Sequence, residues 1–147
     1  MRLTRMLVAL IAVSLSAIGC GAEAHVAPDD SPVVGVWALQ SYSGHPLPYT
    51  GTPDGNAVNT ATAGELSLSS AGGYSLHIAI TRVVDGTQTS QADWNEVGTY
   101  ARTPLGLSMR PFDVPGTVFT GSVVPATITG NTISFDQQGK TLTFAKR

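Results

Sequence analysis

The sequence predicts an all-β protein, a small antiparallel up-and-down β-barrel of about eight strands. Three observations carry this expectation. Beyond residue 33 the apolar side chains recur at every second position, as in Tyr74, Leu76, Ile78 and Ile80, which is the period of a strand with one face turned inward. The runs are separated by turn residues such as Gly72-Gly73, Asp85-Gly86 and Gly130-Asn131, whose backbones accept the tight reversals that hairpins need. Charged residues make up only 12% of the chain while glycine occurs 16 times, and the body between the glycines is dominated by Thr, Val and Ser, which suit a pleated surface.

The chain of 147 residues has room for one domain, and its opening stretch reads as an address rather than as fold. Residues 1–19 begin with Arg2 and Arg5 and continue into an apolar run over 6–18 broken only by Ser14 and Ser16. That run is shorter than the ~20 apolar residues of a membrane-spanning helix and has the build of an export signal peptide. The protein is therefore expected to be exported. Its single cysteine, Cys20, cannot form an internal disulfide and stands where the apolar run ends. Leu15-Ser16-Ala17-Ile18-Gly19-Cys20 resembles the lipobox of bacterial lipoproteins, although Ala17 stands where that motif prefers leucine. The resemblance implies cleavage before Cys20, a diacylglycerol on its sulfur, and a bacterial cell-envelope protein held on its membrane by more than one acyl chain. Several chains anchor securely, since each buried methylene contributes about 0.8 kcal/mol. A second route stays open: Ala22-Glu23-Ala24 fits a small-x-small cleavage site after Ala24, which would leave a periplasmic or secreted protein.

Residues 20–32 contain Pro28, Asp29, Asp30 and Pro32 without apolar periodicity, and read as a lipidated N-terminus followed by a tether. The barrel domain is expected over 33–147. Removing residues 1–19 takes Arg2 and Arg5 away and leaves six Lys and Arg against ten Asp and Glu. With no basic stripe to displace counterions from phosphates, the balance argues against nucleic acid as a partner.

The first strand is expected over 34–42, with Gly35, Trp37, Leu39 and Ser41 on its inner face and a stop at Gly44, Pro46 and Pro48, since proline cannot donate to a ladder. Residues 49–62 are Gly, Thr, Asn, Asp and Pro with Val58 as their only large aliphatic side chain, which predicts a long loop. A hairpin follows: Leu66 and Leu68 alternate in one run, and Tyr74 through Ile80 in the next. Residues 87–92 are polar and read as an extended turn. Further strands are expected over 96–102, 107–110, 117–123, 126–129, 132–136 and 141–144. The last is placed to pair with the Trp37 strand and close the ring, which would remove exposed edges.

Gly35-Val36-Trp37-Ala38-Leu39, Gly44-His45-Pro46-Leu47-Pro48, Gly64-Glu65-Leu66-Ser67-Leu68, Gly73-Tyr74-Ser75-Leu76, Gly98-Thr99-Tyr100 and Gly139-Lys140-Thr141-Leu142-Thr143-Phe144 follow one another in an order that resembles bacterial lipocalin-like domain proteins. The Gly-x-Trp start, shared with avidin-like barrels, is its most distinctive feature. The resemblance implies an antiparallel barrel, an exported or lipid-anchored location and binding of a small apolar molecule or lipid, and it supplies no catalytic residues.

The residues themselves point to no catalysis. There is no Gly-x-Ser-x-Gly elbow, no phosphate loop and no His-Glu-x-x-His motif. His25, His45 and His77 share no ligand spacing, so neither metal nor cofactor is expected. Glu65 and Glu96 read as residues of solvated strand faces. The candidate ligand-contacting interior is Trp37, Leu39, Tyr74, Leu76, Tyr100, Phe135 and Phe144, side chains that equally suit a packed core. Tyr42, Tyr49 and Trp94 lie nearer the loops and suit contact with something outside the barrel. Two functions from different classes follow: an anchored carrier of a small hydrophobic ligand, or an envelope interaction module with a filled core that offers residues 49–62 and 87–94 to a protein partner of unknown identity.

Overall fold

The computed structural model describes residues 33–112 and 122–147. They form eleven strands: β1 Gly35–Tyr42, β2 His45–Pro46, β3 Tyr49–Thr50, β4 Ala57–Leu68, β5 Gly73–Val84, β6 Thr87–Gln91, β7 Trp94–Thr103, β8 Gly106–Pro111, β9 Val124–Thr129, β10 Thr132–Gln137 and β11 Lys140–Lys146. Eight of them close a ring in the order β1-β4-β5-β7-β8-β9-β10-β11 and back to β1, every pair antiparallel. Ring neighbours are thus consecutive along the chain once the short β2, β3 and β6 are set aside. This is the up-and-down barrel that the alternating pattern predicts.

Closure falls on the first and last strands, as the sequence predicts. Leu39 of β1 faces Phe144 of β11 on one side, and Trp37 faces Leu66 of β4 on the other. Alternation then builds the core, because in a closed barrel every second side chain must point into the lumen. Trp37, Leu66, Leu76, Ile78, Leu107, Met109, Ile133, Leu142 and Phe144 are fully buried. Each such side chain contributes about 1.5–3 kcal/mol when taken out of water. Phe135 and Phe144 stack with centroids 5.6 Å apart and planes 9° from parallel, an offset geometry worth about 0.5–1.5 kcal/mol beyond burial.

The two ends of the barrel differ. At one, the turns 69–72, 104–105 and 130–131 are short, and Val33 packs beneath Trp37, whose indole Nε1 donates to the Val33 carbonyl at 2.9 Å. Tyr100 ties this closed end further by donating its hydroxyl to the Ser69 carbonyl at 2.7 Å. At the other, the loop end, lie the connection over 43–56, the β5–β7 excursion, and the turn at 138–139.

Three sequence expectations are corrected here. Residues 49–62 are not one long loop, because β3 and the first half of β4 occupy most of them. Residues 87–92 are largely the strand β6, which pairs with the outer half of β5. In the first half of β4 the buried positions are the small Ala57 and Ala61 among Thr and Asn, and β6 is polar in sequence, so no large-apolar alternation marks either region. On β1 the inner face passes from Leu39 to Tyr42 rather than to Ser41, because a bulge between Leu39 and Ser41 shifts the register against β11 and with it the side-chain parity. Of the strand expected over 117–123, residues 117–121 lie outside the described residues, and Ser122 and Val123 are not in a strand.

Candidate functional site

The seven predicted interior residues come together. Trp37, Leu39, Tyr74, Leu76, Tyr100, Phe135 and Phe144 are all buried members of one hydrophobic cluster, contributed by β1, β5, β7, β10 and β11. They fill the lumen by packing on one another, and the polar handles of the two tyrosines are occupied by protein groups. Tyr100 reaches Ser69, as above, and Tyr74 donates its hydroxyl to Glu96 Oε1 at 2.6 Å.

Glu96 is the main departure from the sequence reading. It does not belong to a solvated face: only 8% of it is exposed, and it points inward from β7 between Trp94 and Tyr100. Gln137, 7% exposed, points inward from β10 and donates its Nε2 to Glu96 Oε2. Since β8 and β9 separate β7 from β10 around the ring, this hydrogen bond crosses the lumen and joins opposite walls. Tyr74, Glu96 and Gln137 therefore form a polar bar through an otherwise apolar interior. The parity of β7 holds the signal for it, because Trp94, Glu96, Gly98 and Tyr100 share one face; so do Ile133, Phe135 and Gln137 on β10.

Burial pushes the Glu96 carboxyl above its ordinary value of 4.5, against the two hydrogen bonds, which favour the ionised form. Burial and then the neighbouring Glu96 hold the Tyr74 phenol protonated far above its usual range. A carboxyl whose folded pKa is raised stabilises the fold most below its unfolded value, and that contribution is lost as pH rises through the folded one. Glu96→Gln removes the ionisation. The wild-type urea midpoint is thus expected to fall relative to that of Glu96→Gln as pH rises from about 4.5 towards neutrality; a wild-type chain that instead gains on the variant would mean that the hydrogen bonds outweigh burial.

Two buried polar atoms, Gln137 Oε1 and Trp94 Nε1, have no hydrogen-bond partner among the described residues. Such atoms cost about 1–3 kcal/mol each and suit a polar contact more than an apolar one. Beyond them, at the loop end, an aromatic cluster forms. His45 stacks on Tyr49 with centroids 4.7 Å apart and planes 1° from parallel, Tyr42 lies 6.0 Å from Tyr49, and Lys140 Nζ sits 5.5 Å from the Tyr42 ring centroid. The short pairings β1–β2 and β3–β4 hold these rings in place. Against the sequence expectation of outside contact, Tyr42 is buried in the core and Tyr49 and Trp94 are half-buried against it; His45, Pro46 and Pro48 are the exposed members, so the surface here is His45, two prolines and the edge of the Tyr49 ring.

Open grooves among the described residues lie along the wall of the barrel. One of about 320 Å³ lies over β9–β11 beside Pro125, Thr127 and Thr141; another of about 550 Å³ lies beside Val36, Ser67, Ser75, Thr99 and Phe112. The first also touches Phe135 and the second Leu68 and Tyr74, but most of their lining faces outward. Among the described residues no group of three His, Cys, Asp or Glu side chains is placed to hold a metal ion. His77 is exposed, as its parity predicts, and lies 3.3 Å from Asp93. Cys20 and His25 fall outside the described residues. No family model, no curated protein and no solved structure matches this chain.

Proposed function

We propose that this chain is an exported, lipid-anchored envelope module that meets a protein partner through the loop end of a barrel filled by its own side chains. The observation that carries this reading is the Glu96–Gln137 hydrogen bond across the lumen. An apolar ligand entering the barrel would have to separate these buried polar side chains and leave them unpaired, which is costly. The interior residues that would line such a ligand are already packed against one another. The exposed His45, Pro46 and Pro48 with the half-buried ring of Tyr49, by contrast, offer pre-ordered amphipathic area of the kind that dominates protein interfaces, seated on the buried Tyr42. Export and anchoring rest on the apolar run over 6–18 and on the lipobox ending at Cys20.

Native mass spectrometry of the Cys20→Ser chain, followed by solvent extraction, separates the filled module from the ligand carrier. A bare protein mass is expected, together with no binding of apolar fluorescent probes. A reproducible additional mass released by organic solvent would return the function to ligand carriage. On the module reading, His45→Ala with Tyr49→Ala abolishes a discrete photocrosslink from position 46 in intact cells. Stability is expected to fall by about 1–2 kcal/mol, because His45 is exposed while the Tyr49 ring is half-buried against the core, so the fold survives and a lost crosslink reports the surface.

A further inference from the structure

We propose that the closed end of the barrel rests on the lipid surface that holds Cys20, with Leu105 entering the membrane interface and the loop end turned away from it. This rests on the lipid-anchored reading above and adds an orientation to it.

Three independent features gather at that end. The first is the entry of the chain. Val33, the first described residue, packs beneath Trp37, so the thirteen residues of 20–32 reach the barrel at its closed end. On the tether reading of the sequence, thirteen residues span on the order of 20 Å on average, and the loop end lies about one further strand length, roughly 20 Å, away. The closed end is therefore the face the tether brings to the surface. The second is Leu105. It occupies the tip of the β7–β8 hairpin beside Pro104 and is 84% exposed, far more than any other large hydrophobic side chain among the exposed ones described. A turn tip is a position that polar residues ordinarily fill.

The third is charge. Among the described residues, Arg102, Lys146 and Arg147 lie at the closed end, where β7 and β11 finish, and one carboxylate, Glu65, is bonded to Arg147 at 2.9 Å. Asp54, Asp85, Asp93 and Asp136 lie in or beside the connections of the loop end, where Arg82 and Lys140 offset two of them. Among these described residues the closed end carries a net positive charge and the loop end a net negative one, so an anionic lipid surface favours the closed end, and the effect acts within a Debye length of the headgroups. Arginine also lays its aliphatic stem along apolar surface while its charge stays wet, which suits Arg102, three residues before Leu105 on the same hairpin. A single leucine would hold a free domain only weakly. With the anchor in place the contact is intramolecular, and an effective concentration in the millimolar range lets a weak contact orient the domain.

The test uses the full chain with its acylated N-terminus, in which Pro104→Cys supplies the one free thiol for an environment-sensitive nitrobenzoxadiazole probe. It is reconstituted in vesicles of phosphatidylcholine and phosphatidylglycerol in equal amounts. The expected result is an emission increase of roughly two-fold or more over the lipid-free protein, quenching by nitroxide-labelled lipid, and loss of both on adding Leu105→Asp. The same probe at Asp54→Cys is expected to stay aqueous. Co-flotation with vesicles but an aqueous, unquenched probe at 104 would overturn the orientation alone, as would quenching that survives Leu105→Asp or that appears at 54 instead. Failure of the full chain to float with vesicles would overturn the anchor, and the orientation with it.

Discussion

Trp37→Ala is expected to lower stability by about 3–5 kcal/mol, the cost of deleting a large buried aromatic side chain from a core that relaxes incompletely. Trp37 is 1% exposed and acts at three levels. Its ring fills the closed end of the lumen, its backbone sits where β1 joins β4, and its Nε1 holds Val33 beneath it. Lys146 Nζ lies 5.5 Å from its centroid, so the end of the last strand is also seated on it. Truncation therefore opens a cavity at the place where the ring of strands is sealed. The melting temperature should fall by about 10–20 °C for a domain of this size, with the urea m-value little changed. Trp37→Phe, which keeps most of the apolar volume, should recover the greater share of the loss. An unaltered midpoint in Trp37→Ala would mean that the closed end is held by its turns and not by the indole.

Gly98→Val is expected to cost about 3 kcal/mol or more, at the upper end of what overpacking does, and for a reason local to one point of the barrel. Gly98 stands on β7 opposite Tyr74 of β5 and Pro111 of β8. A Cβ built there would collide with the carbonyl oxygen of Arg110 and come 2.5 Å from Tyr74 Cε1. Neither neighbour can give way cheaply. The Arg110 carbonyl belongs to the β7–β8 ladder, and the Tyr74 ring is held by its hydrogen bond to Glu96. The glycine is thus the seat on which the Tyr74 ring lies, and the polar bar depends on it. Gly51→Ala is the contrasting variant: its added methyl would meet only the Asn59 carbonyl at an ordinary 3.6 Å, and a change within about 0.5 kcal/mol is expected. Thermal melts of the two variants side by side test the difference. Similar, small losses in both would show that β7 and β8 separate easily at this point.

How far each feature can be read in the sequence follows from what buries it. The hairpin of β4 and β5 is plain because Leu66 and Leu68, then Tyr74 through Ile80, alternate against a single core, and the closing strand is plain because Leu142 and Phe144 do the same. Strict alternation puts Tyr42 on the wrong face because one bulge reverses parity and leaves no compositional mark. β3 and β6 are hidden because β3 is only two residues long and β6 reads Thr-Gln-Thr-Ser-Gln, with no apolar residue to show a period. The charge of Glu96 points to solvent, although its neighbours Trp94 and Tyr100 share its face. Where residue type and period conflict at this position, the period is the better guide.

The sequence by itself determined the alternation, the turns and the order of strands, and these suffice for an antiparallel barrel closed by its first and last strands, since each is a property of neighbours along the chain. The proposed export and anchoring rest likewise on local motifs, the apolar run and the lipobox around Cys20. Only the tertiary structure decided that the lumen is spanned by Tyr74, Glu96 and Gln137, that the aromatic rings of β1 to β3 gather at the loop end, and that Leu105 shares the opposite end with the entry of the chain. Contacts across a barrel depend on how far each strand is staggered against the next around the whole ring. That stagger is the sum of every register and bulge, so no local period records it.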